Sequence, residues 1–220
     1  MIEVGFVAIV AAVAGYVVAV AASAGRRAGR GARPAAIVAL ALAAWLTVTA
    51  VIASGALGFD SRPPRLFALP WVMLLTSVAV TRTTTARELI AHTPPALVIA
   101  IDVFRVGVEL VLWRLCVADL LPIELTFEGR NFDILAGATA IPVAVLAARL
   151  PRLAVAWHVL GLALLINVVA RAVRSGPLVL GGFPFVWLPA FLVPVAALSH
   201  IVGLRQAFAK PPRIWTHARA

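Results

Sequence analysis

Three ionisable residues, Asp102, Arg105 and Glu109, lie in the interior of a mainly apolar run from Ala96 to Val117, whose other charged residue, Arg114, lies near its end. At about 100° per residue of an α-helix, their spacing places all three side chains on one stripe. An ionised side chain at the centre of a membrane helix costs about 2.5 to 3.5 kcal/mol on insertion scales. The stripe must therefore face protein or water rather than lipid, which predicts a helical membrane protein with a polar interior.

The composition agrees with a membrane location. Hydrophobic residues make up 63% of the chain and charged residues 13%, against about 25% charged in ordinary soluble domains. The formal net charge is +10, but the cations cluster in short connections between apolar runs and form no basic face with interleaved aromatics. We therefore expect membrane lipids, and no nucleic acid, as partners. The single cysteine, Cys116, excludes an intrachain disulfide and a CxxC metal site.

The apolar runs predict an all-α fold, a single domain built as a bundle of seven transmembrane helices, because several runs approach the roughly 20 residues that cross the hydrocarbon core. The first run is read as a retained helix rather than a cleaved signal peptide, since Arg26 and Arg27 follow it. Residues 118–133 form an outer loop that either stays at the surface or re-enters the bundle. The predicted spans are Val4 to Ala24, Ala35 to Leu57, Leu66 to Thr81, Ala96 to Val117, Ile134 to Ala148, Leu153 to Val173 and Phe185 to Phe208.

The distribution of lysine and arginine predicts the orientation. With seven spans, twelve of these cations fall on one side and six on the other, and Arg105 lies within a span. Because the more positive side is cytoplasmic, we predict an outer N-terminus and a cytoplasmic C-terminus in a bacterial inner membrane. The basic tail at 209–220 is expected to anchor at anionic lipids of the inner leaflet.

Prolines interrupt several of the spans. Pro70 and Pro142 lie in the two shortest spans, and Pro184, Pro189 and Pro194 recur along the last. Interrupted helices mark substrate sites in many transporters. The alternative is ordinary tolerance, because neighbouring groups in a membrane bundle satisfy the backbone groups that proline frees.

The predicted orientation places Asp102, His158 and His200 in the cytoplasmic half of the bundle. Two imidazoles and a carboxylate could hold a divalent metal, and two imidazoles could ligate haem. The alternative is that each side chain makes an ordinary interhelical hydrogen bond.

A second set of polar residues gathers near the outer ends of the predicted spans. Asn167 and Arg171 are four residues apart and share a helix face, and we expect Arg171 to reach Glu128 or Asp133. The set is interpreted either as a ligand-binding vestibule or as a charge-paired rim that stabilises helix packing. Its members are Glu128, Arg130, Asn131, Asp133, Asn167 and Arg171.

The three charges of the central span also allow two interpretations. Asp102 and Glu109 could both pair with Arg105 as a static strut. Alternatively, three charges where one pair would suffice leave a carboxyl group free to carry a proton. In that hypothesis Asp102, Arg105 and Glu109 form a proton or ion pathway.

Several functions are excluded by missing residues. A retinal Schiff base needs a lysine in the last helix, whereas the only lysine is Lys210, in the tail. The chain has no HExxH, GxSxG or P-loop motif, so these hydrolase and nucleotide-binding signatures are absent.

Two segments, TFEGRNFD at Thr126 to Asp133 and FPFVWLPAFLVP at Phe183 to Pro194, carry a resemblance. They are similar to strings found in a group of uncharacterised bacterial multi-pass membrane proteins, and the resemblance, from the first segment to the second, spans about a third of the chain. The resemblance implies a bacterial inner-membrane location and no activity.

The leading functional hypothesis is transport or gated passage of a small polar solute or ion, with or without proton coupling. A second is an intramembrane enzyme acting on a lipid or isoprenoid-like substrate, with Glu128 or Asp133 as general acid or base and Arg130 and Arg171 holding an anionic head group. A third is an accessory subunit of a membrane complex, and a homodimer fits the small size of the chain. A transporter predicts a polar path between both halves of the bundle.

Overall fold

The computed structural model describes residues 1–55 and 68–209, and every regular element within these ranges is helical. The predicted all-α class is therefore confirmed. The end of the second predicted span (56–57), the start of the third (66–67) and the tail at 210–220 lie outside the described residues. The helices are α1 (Ile2–Arg27), α2 (Arg33–Ala53), α3 (Ala68–Val80), α4 (Thr84–Ala91), α5 (Pro95–Ala100), α6 (Phe104–Val117), α7 (Ile134–Leu146), α8 (Pro151–Ser175) and α9 (Val193–Phe208).

Four segments are long and apolar enough to cross a membrane: Ile2–Arg27, Arg33–Ala53, Pro151–Ser175 and Leu188–Phe208. The other predicted spans coincide with shorter helices. The 13 residues of α7 extend only about 20 Å at 1.5 Å per residue. The predicted fourth span is divided into α5 and α6 by a 3₁₀ turn at Ile101–Val103, which contains Asp102.

The last helix forms the centre of the bundle. In the segment Leu188–Phe208, which contains α9, about 61% of the most apolar stretch is buried, against 11% for α2 and 17% for α1. Helix α9 contacts α3, α5 and α8, whereas α1 and α2 leave large apolar side chains exposed along their length. The residues of α9 therefore meet several helices at once, and polar side chains on it can be shared between them.

Two tryptophan hydrogen bonds attach the proline-rich segment at the start of α9 to α2. Pro194 lacks an N–H group, so the carbonyl of Ala190, four residues earlier, loses its helical donor. The indole N–H of Trp45 in α2 donates to that carbonyl at 2.8 Å. In return, Trp187 donates to the Leu46 carbonyl at 3.0 Å. The segment Leu188–Leu192 is a π-helical turn, and these bonds fix it against α2.

The connections rich in arginine meet at one end of the bundle. Arg30, between α1 and α2, donates to Glu88 of α4 at 2.8 Å, and Gln206 of α9 donates to the Ile90 carbonyl at 2.9 Å. Helix α4 is an element that the hydrophobic pattern did not predict, because it is short and polar. Thr83 caps it by accepting from the Ala86 N–H.

The opposite end carries two irregular segments that each place several residues in the interior. Leu125 and Thr126 of the 118–133 connection are 2% and 0% exposed, and Val186 before α9 is 0% exposed. Such backbone is tolerated at membrane depth when it is enclosed by protein. Gly129 closes a turn in the first segment, because a Cβ there would lie 2.1 Å from the Ile123 carbonyl oxygen.

Substituting Gly129 with alanine should disrupt this turn, because the obstructing atoms are backbone and cannot rotate away. We expect a loss of about 1 to 3 kcal/mol in the free energy of unfolding, measured by unfolding in mixed micelles. Gly182→Ala is the matched control, since its nearest atom lies at 3.7 Å. Equal stability of the two variants would contradict the packing described for the 118–133 connection.

Candidate functional site: a buried charge and histidine network

The centre of the bundle holds one guanidinium between two carboxylates. Arg105 is 2% exposed and binds Asp133 through both side-chain oxygens, with Nε donating to Oδ2 at 2.7 Å and Nη2 donating to Oδ1. Its Nη1 also lies 3.5 Å from Oδ1 of Asp102. A bidentate arginine–carboxylate pair is among the strongest side-chain interactions available in a protein. Asp133 is therefore the principal counter-ion of Arg105, and Asp102 is the second.

Asp102 links the guanidinium to α9. Its carboxylate is 0% exposed and accepts a hydrogen bond from the Ser199 hydroxyl at 2.6 Å on Oδ2. The 3₁₀ turn that divides α5 from α6 carries Asp102 at its middle position. The turn therefore places the carboxylate between a donor on α9 and the guanidinium three residues further along the chain.

A histidine pair extends the network from Arg105. Nη1 of Arg105 lies 2.9 Å from Nε2 of His200, and Nδ1 of His200 lies 3.1 Å from Nδ1 of His158. A guanidinium only donates hydrogen bonds, so Nε2 of His200 accepts and its proton resides on Nδ1. His200 then donates to Nδ1 of His158, whose proton resides on Nε2. Both imidazoles are neutral in this arrangement.

Two glycines make the space that the histidines occupy. A Cβ on Gly161 of α8 would lie 2.3 Å from Cε1 of His200, and a Cβ on Gly203 of α9 would lie 2.0 Å from Nε2 of His158. Each histidine therefore packs against the glycine of the other helix. The sequence carries the same His-x-x-Gly pattern twice, at 158–161 and 200–203, and this repeated pattern is a signal that could have located the pair.

The ring of Trp157 covers the histidine pair. Its centroid lies 5.1 Å from that of His158 and 5.2 Å from that of His200. Its indole N–H donates to the Thr139 hydroxyl of α7 at 2.9 Å. The tryptophan thus joins the histidine pair to a third helix.

Glu109, the third ionisable residue of the predicted fourth span, has a partner other than Arg105. Glu109 is 1% exposed, and its Oε1 accepts from Nδ2 of Asn131 at 2.5 Å. Within the described ranges, 1–55 and 68–209, no donor contacts its Oε2. The hypothesis that Arg105 pairs with both Asp102 and Glu109 is wrong for Glu109, because Asp133 occupies the guanidinium.

The 118–133 connection delivers Asn131 and Asp133 to the network. Asn131 is 0% exposed and is fixed by the Leu125 carbonyl, to which it donates at 3.0 Å. Its Oδ1 accepts from the Asp133 N–H at 3.0 Å. Arg105 lies twelve residues before the end of α6, a helical distance of about 18 Å. The connection therefore descends well below the end of α6 before α7 begins.

The six predicted vestibule residues do not form one cluster. Asn131 and Asp133 lie in the buried network, whereas Asn167 donates to the Arg130 carbonyl at 3.0 Å and accepts from Arg171 at 3.1 Å. Arg171 therefore reaches Asn167 and not Glu128 or Asp133, which corrects that expectation. The Glu128 and Arg130 side chains are exposed and have no side-chain hydrogen bond or ion pair among the described residues.

The predicted metal or haem ligands are brought near one another without forming a metal cluster. Nε2 of His200 lies 3.8 Å from Oδ1 of Asp102, and the two histidines are hydrogen-bonded to each other. In the described part of the chain, no group of three or more His, Cys, Asp or Glu side chains is placed to hold a metal ion. The contacts of His200 are instead those of a hydrogen-bonding residue.

Two cavities flank the network. The Glu109 cavity, of about 80 Å³, is lined mainly by apolar side chains together with Arg105, Glu109 and Asp133. The Ser199 cavity, of about 520 Å³, lies among α1 to α5 and α9 and includes Thr81 and Thr93 near the arginine-rich end. Ser199 lines one cavity and Asp133 lines the other, and each of them contacts the Asp102–Arg105 pair. This pair therefore lies between the two cavities.

Comparison with known proteins gives a family and no activity. Residues 63–208 match the family described as Domain of unknown function (DUF8737). No curated protein and no solved structure matches the chain. The matched range includes every residue of the buried network and both of the segments that carry the sequence resemblance, whereas α1 and α2 lie outside it.

Asp133→Asn should destabilise the protein by about 3 kcal/mol, because it removes the principal counter-ion of a buried guanidinium. Unfolding in mixed micelles measures the loss. Glu88→Gln is the matched control: it breaks the Arg30–Glu88 pair, whose side chains are 42% and 38% exposed, and should cost less than about 1 kcal/mol. Similar losses in both variants would show that Asp133 is not the principal counter-ion.

Gly161→Ala should displace the His200 ring and break its bonds to His158 and Arg105. We expect the His200 Nδ1–H signal in ¹⁵N-resolved imidazole spectra to shift or disappear, with a stability loss of about 1 to 3 kcal/mol. Gly15→Ala is the control, since nothing lies within 4 Å of its added Cβ. An unchanged imidazole spectrum for Gly161→Ala would refute the tautomer assignment that depends on this packing.

Proposed function

The chain belongs to the DUF8737 family, a family of unknown function, and we propose from its buried network that it is a proton-coupled membrane transporter. It would carry a small solute or ion across a bacterial cytoplasmic membrane. The observation that supports the proposal is a set of polar residues, linked by hydrogen bonds and ion pairs, between two cavities. Its members are Ser199, Asp102, Arg105, Asp133, Asn131 and Glu109.

Arg105 is the switching element in this proposal. A guanidinium stays protonated and therefore cannot relay a proton itself. It can, however, change partners: it now binds Asp133 through two bonds and lies 3.5 Å from Asp102. Protonation of one carboxylate weakens that pair and favours the other. The equilibrium between the two pairings would thus depend on which cavity supplies the proton.

The helix interruptions support a seven-span arrangement. Helix α7 alone is about 20 Å long, and the other part of the roughly 30 Å hydrocarbon core, about 10 Å, would be covered by the partly buried 118–133 connection. Residues 178–192 would play the same role before α9. Irregular backbone enclosed by protein at mid-depth is a feature of transporters. The gathering of arginine-rich connections at one end supports a cytoplasmic location for that end.

The enzyme hypothesis has less support. It requires Glu128 or Asp133 to act as a general acid or base beside Arg130 and Arg171. Asp133 is engaged by Arg105, and Arg171 bonds to Asn167. Asp133 lines the Glu109 cavity but is bound there by Arg105, and Glu128 is exposed and does not line it.

Proton movement in reconstituted vesicles tests the proposal. Vesicles containing the protein and a pH-sensitive dye, given an inward proton gradient with potassium and valinomycin for charge balance, should acidify faster than protein-free vesicles. Glu109→Gln and Asp102→Asn should reduce the protein-dependent rate at least tenfold. Each removes a carboxyl group while preserving its shape and leaves Asp133, the principal counter-ion of Arg105, in place, so folding should be retained.

Glu124→Gln is the control variant, because Glu124 is an exposed acid on the same connection and should leave the rate unchanged. Circular dichroism and gel filtration in detergent establish that each variant is folded. Wild-type vesicles that acidify no faster than empty vesicles, across a panel of small solutes, would overturn the proposal. Unchanged rates in both buried-carboxyl variants would overturn it as well.

A further inference from the structure

The Glu109 cavity combines apolar walls with one unsatisfied oxygen. Val108, Leu112, Leu125, Leu165 and Leu192 are among its lining residues. Glu109 also lines it, and its buried Oε2 has no hydrogen-bond partner in the described ranges. Buried polar atoms are almost always paired with protein, water or ligand. The oxygen is therefore a candidate contact for a bound molecule.

The charge balance around the cavity defines the kind of molecule. The guanidinium of Arg105 is engaged by Asp133, Asp102 and His200. Among the described residues, no other cation contacts Glu109. An isolated carboxylate is unstable in an apolar site, so the Glu109 carboxyl group must either hold a proton or meet a cationic ligand.

We propose that the Glu109 cavity binds a lipophilic monocation of the alkylammonium type and exchanges it for a proton. The ammonium head would donate to Oε2 of Glu109, while Asn131 continues to donate to Oε1. The alkyl chain would pack among the leucine and valine side chains. This inference deepens the proposed function, on which it rests for its role in transport, by naming the class of solute.

The exchange is balanced in atoms and charge. The neutral carboxyl group loses one proton to water as the ammonium ion enters, and the site then holds one cation beside one carboxylate. The ammonium nitrogen keeps its own protons, and only hydrogen bonds form to the protein. Binding therefore releases one proton per cation, and the net charge of the cavity is unchanged.

Calorimetry with a matched set of probes tests the inference. Hexylammonium and 1-hexanol have the same chain and differ in the charge of the head group. Each is titrated into wild-type protein in nanodiscs, with empty nanodiscs as the reference, in two buffers of different ionisation enthalpy. We expect at least tenfold tighter binding of hexylammonium and release of about one proton per ion bound. From butylammonium to hexylammonium, affinity should rise about fourfold per methylene.

Glu109→Gln should lose at least tenfold in hexylammonium affinity and all proton release, while its 1-hexanol affinity stays within twofold of wild type. Glu124→Gln should bind both probes like wild type. If Glu109→Gln fails to fold, the wild-type comparison of probes and the proton count still decide the question. Equal affinity for the two probes, or binding without proton release, would overturn the inference.

The two proposals fail separately. Proton flux in vesicles without hexylammonium binding would leave the transport proposal standing and overturn the named solute class. Hexylammonium binding with proton release, in a protein that gives no flux, would support the site and overturn transport.

Discussion

A buried guanidinium imposes the main constraint on this bundle. Arg105 cannot lose its charge, and at 2% exposure it has no access to bulk water. Its donors must therefore be satisfied by protein, and they are satisfied from four directions by Asp102, Asp133, His200 and the Gly161 carbonyl. These partners lie on four separate parts of the chain. The packing of the 118–133 connection, α8 and α9 around α6 follows from the need to bring them together.

Placing these partners around Arg105 shortens or interrupts the neighbouring helices. Asp133 can reach Arg105 only if the chain enters the bundle before α7 starts, and α7 is consequently short. Asp102 lies on a 3₁₀ turn between α5 and α6 rather than within a continuous helix. Enclosed irregular segments replace the outer parts of long helices, and neighbouring side chains such as Trp45 and Asn131 satisfy their backbone groups.

The sequence predicts which charged side chains are buried better than it predicts which residues they pair with. The cost of charge in hydrocarbon was sufficient to predict that Asp102, Arg105 and Glu109 face the protein interior, and the apolar runs predicted the all-α class. The partners were beyond reach, because Arg105 and Asp133 are separated by 28 residues and Arg105 and His200 by 95. Depth along each helix can be inferred from a residue's position within its span, but the path of an irregular connection cannot. Hence the sequence predicts an outer vestibule for Asn131 and Asp133, and it predicts the wrong partner for Glu109.

The reciprocal histidine–glycine contacts also limit how the bundle can move. Sliding α8 along α9 by one turn, about 5.4 Å, would drive each imidazole out of the gap left by a glycine and onto a residue with a side chain. The two helices are therefore held in a single register relative to each other. A rearrangement of the bundle that preserves these contacts would therefore move α8 and α9 together.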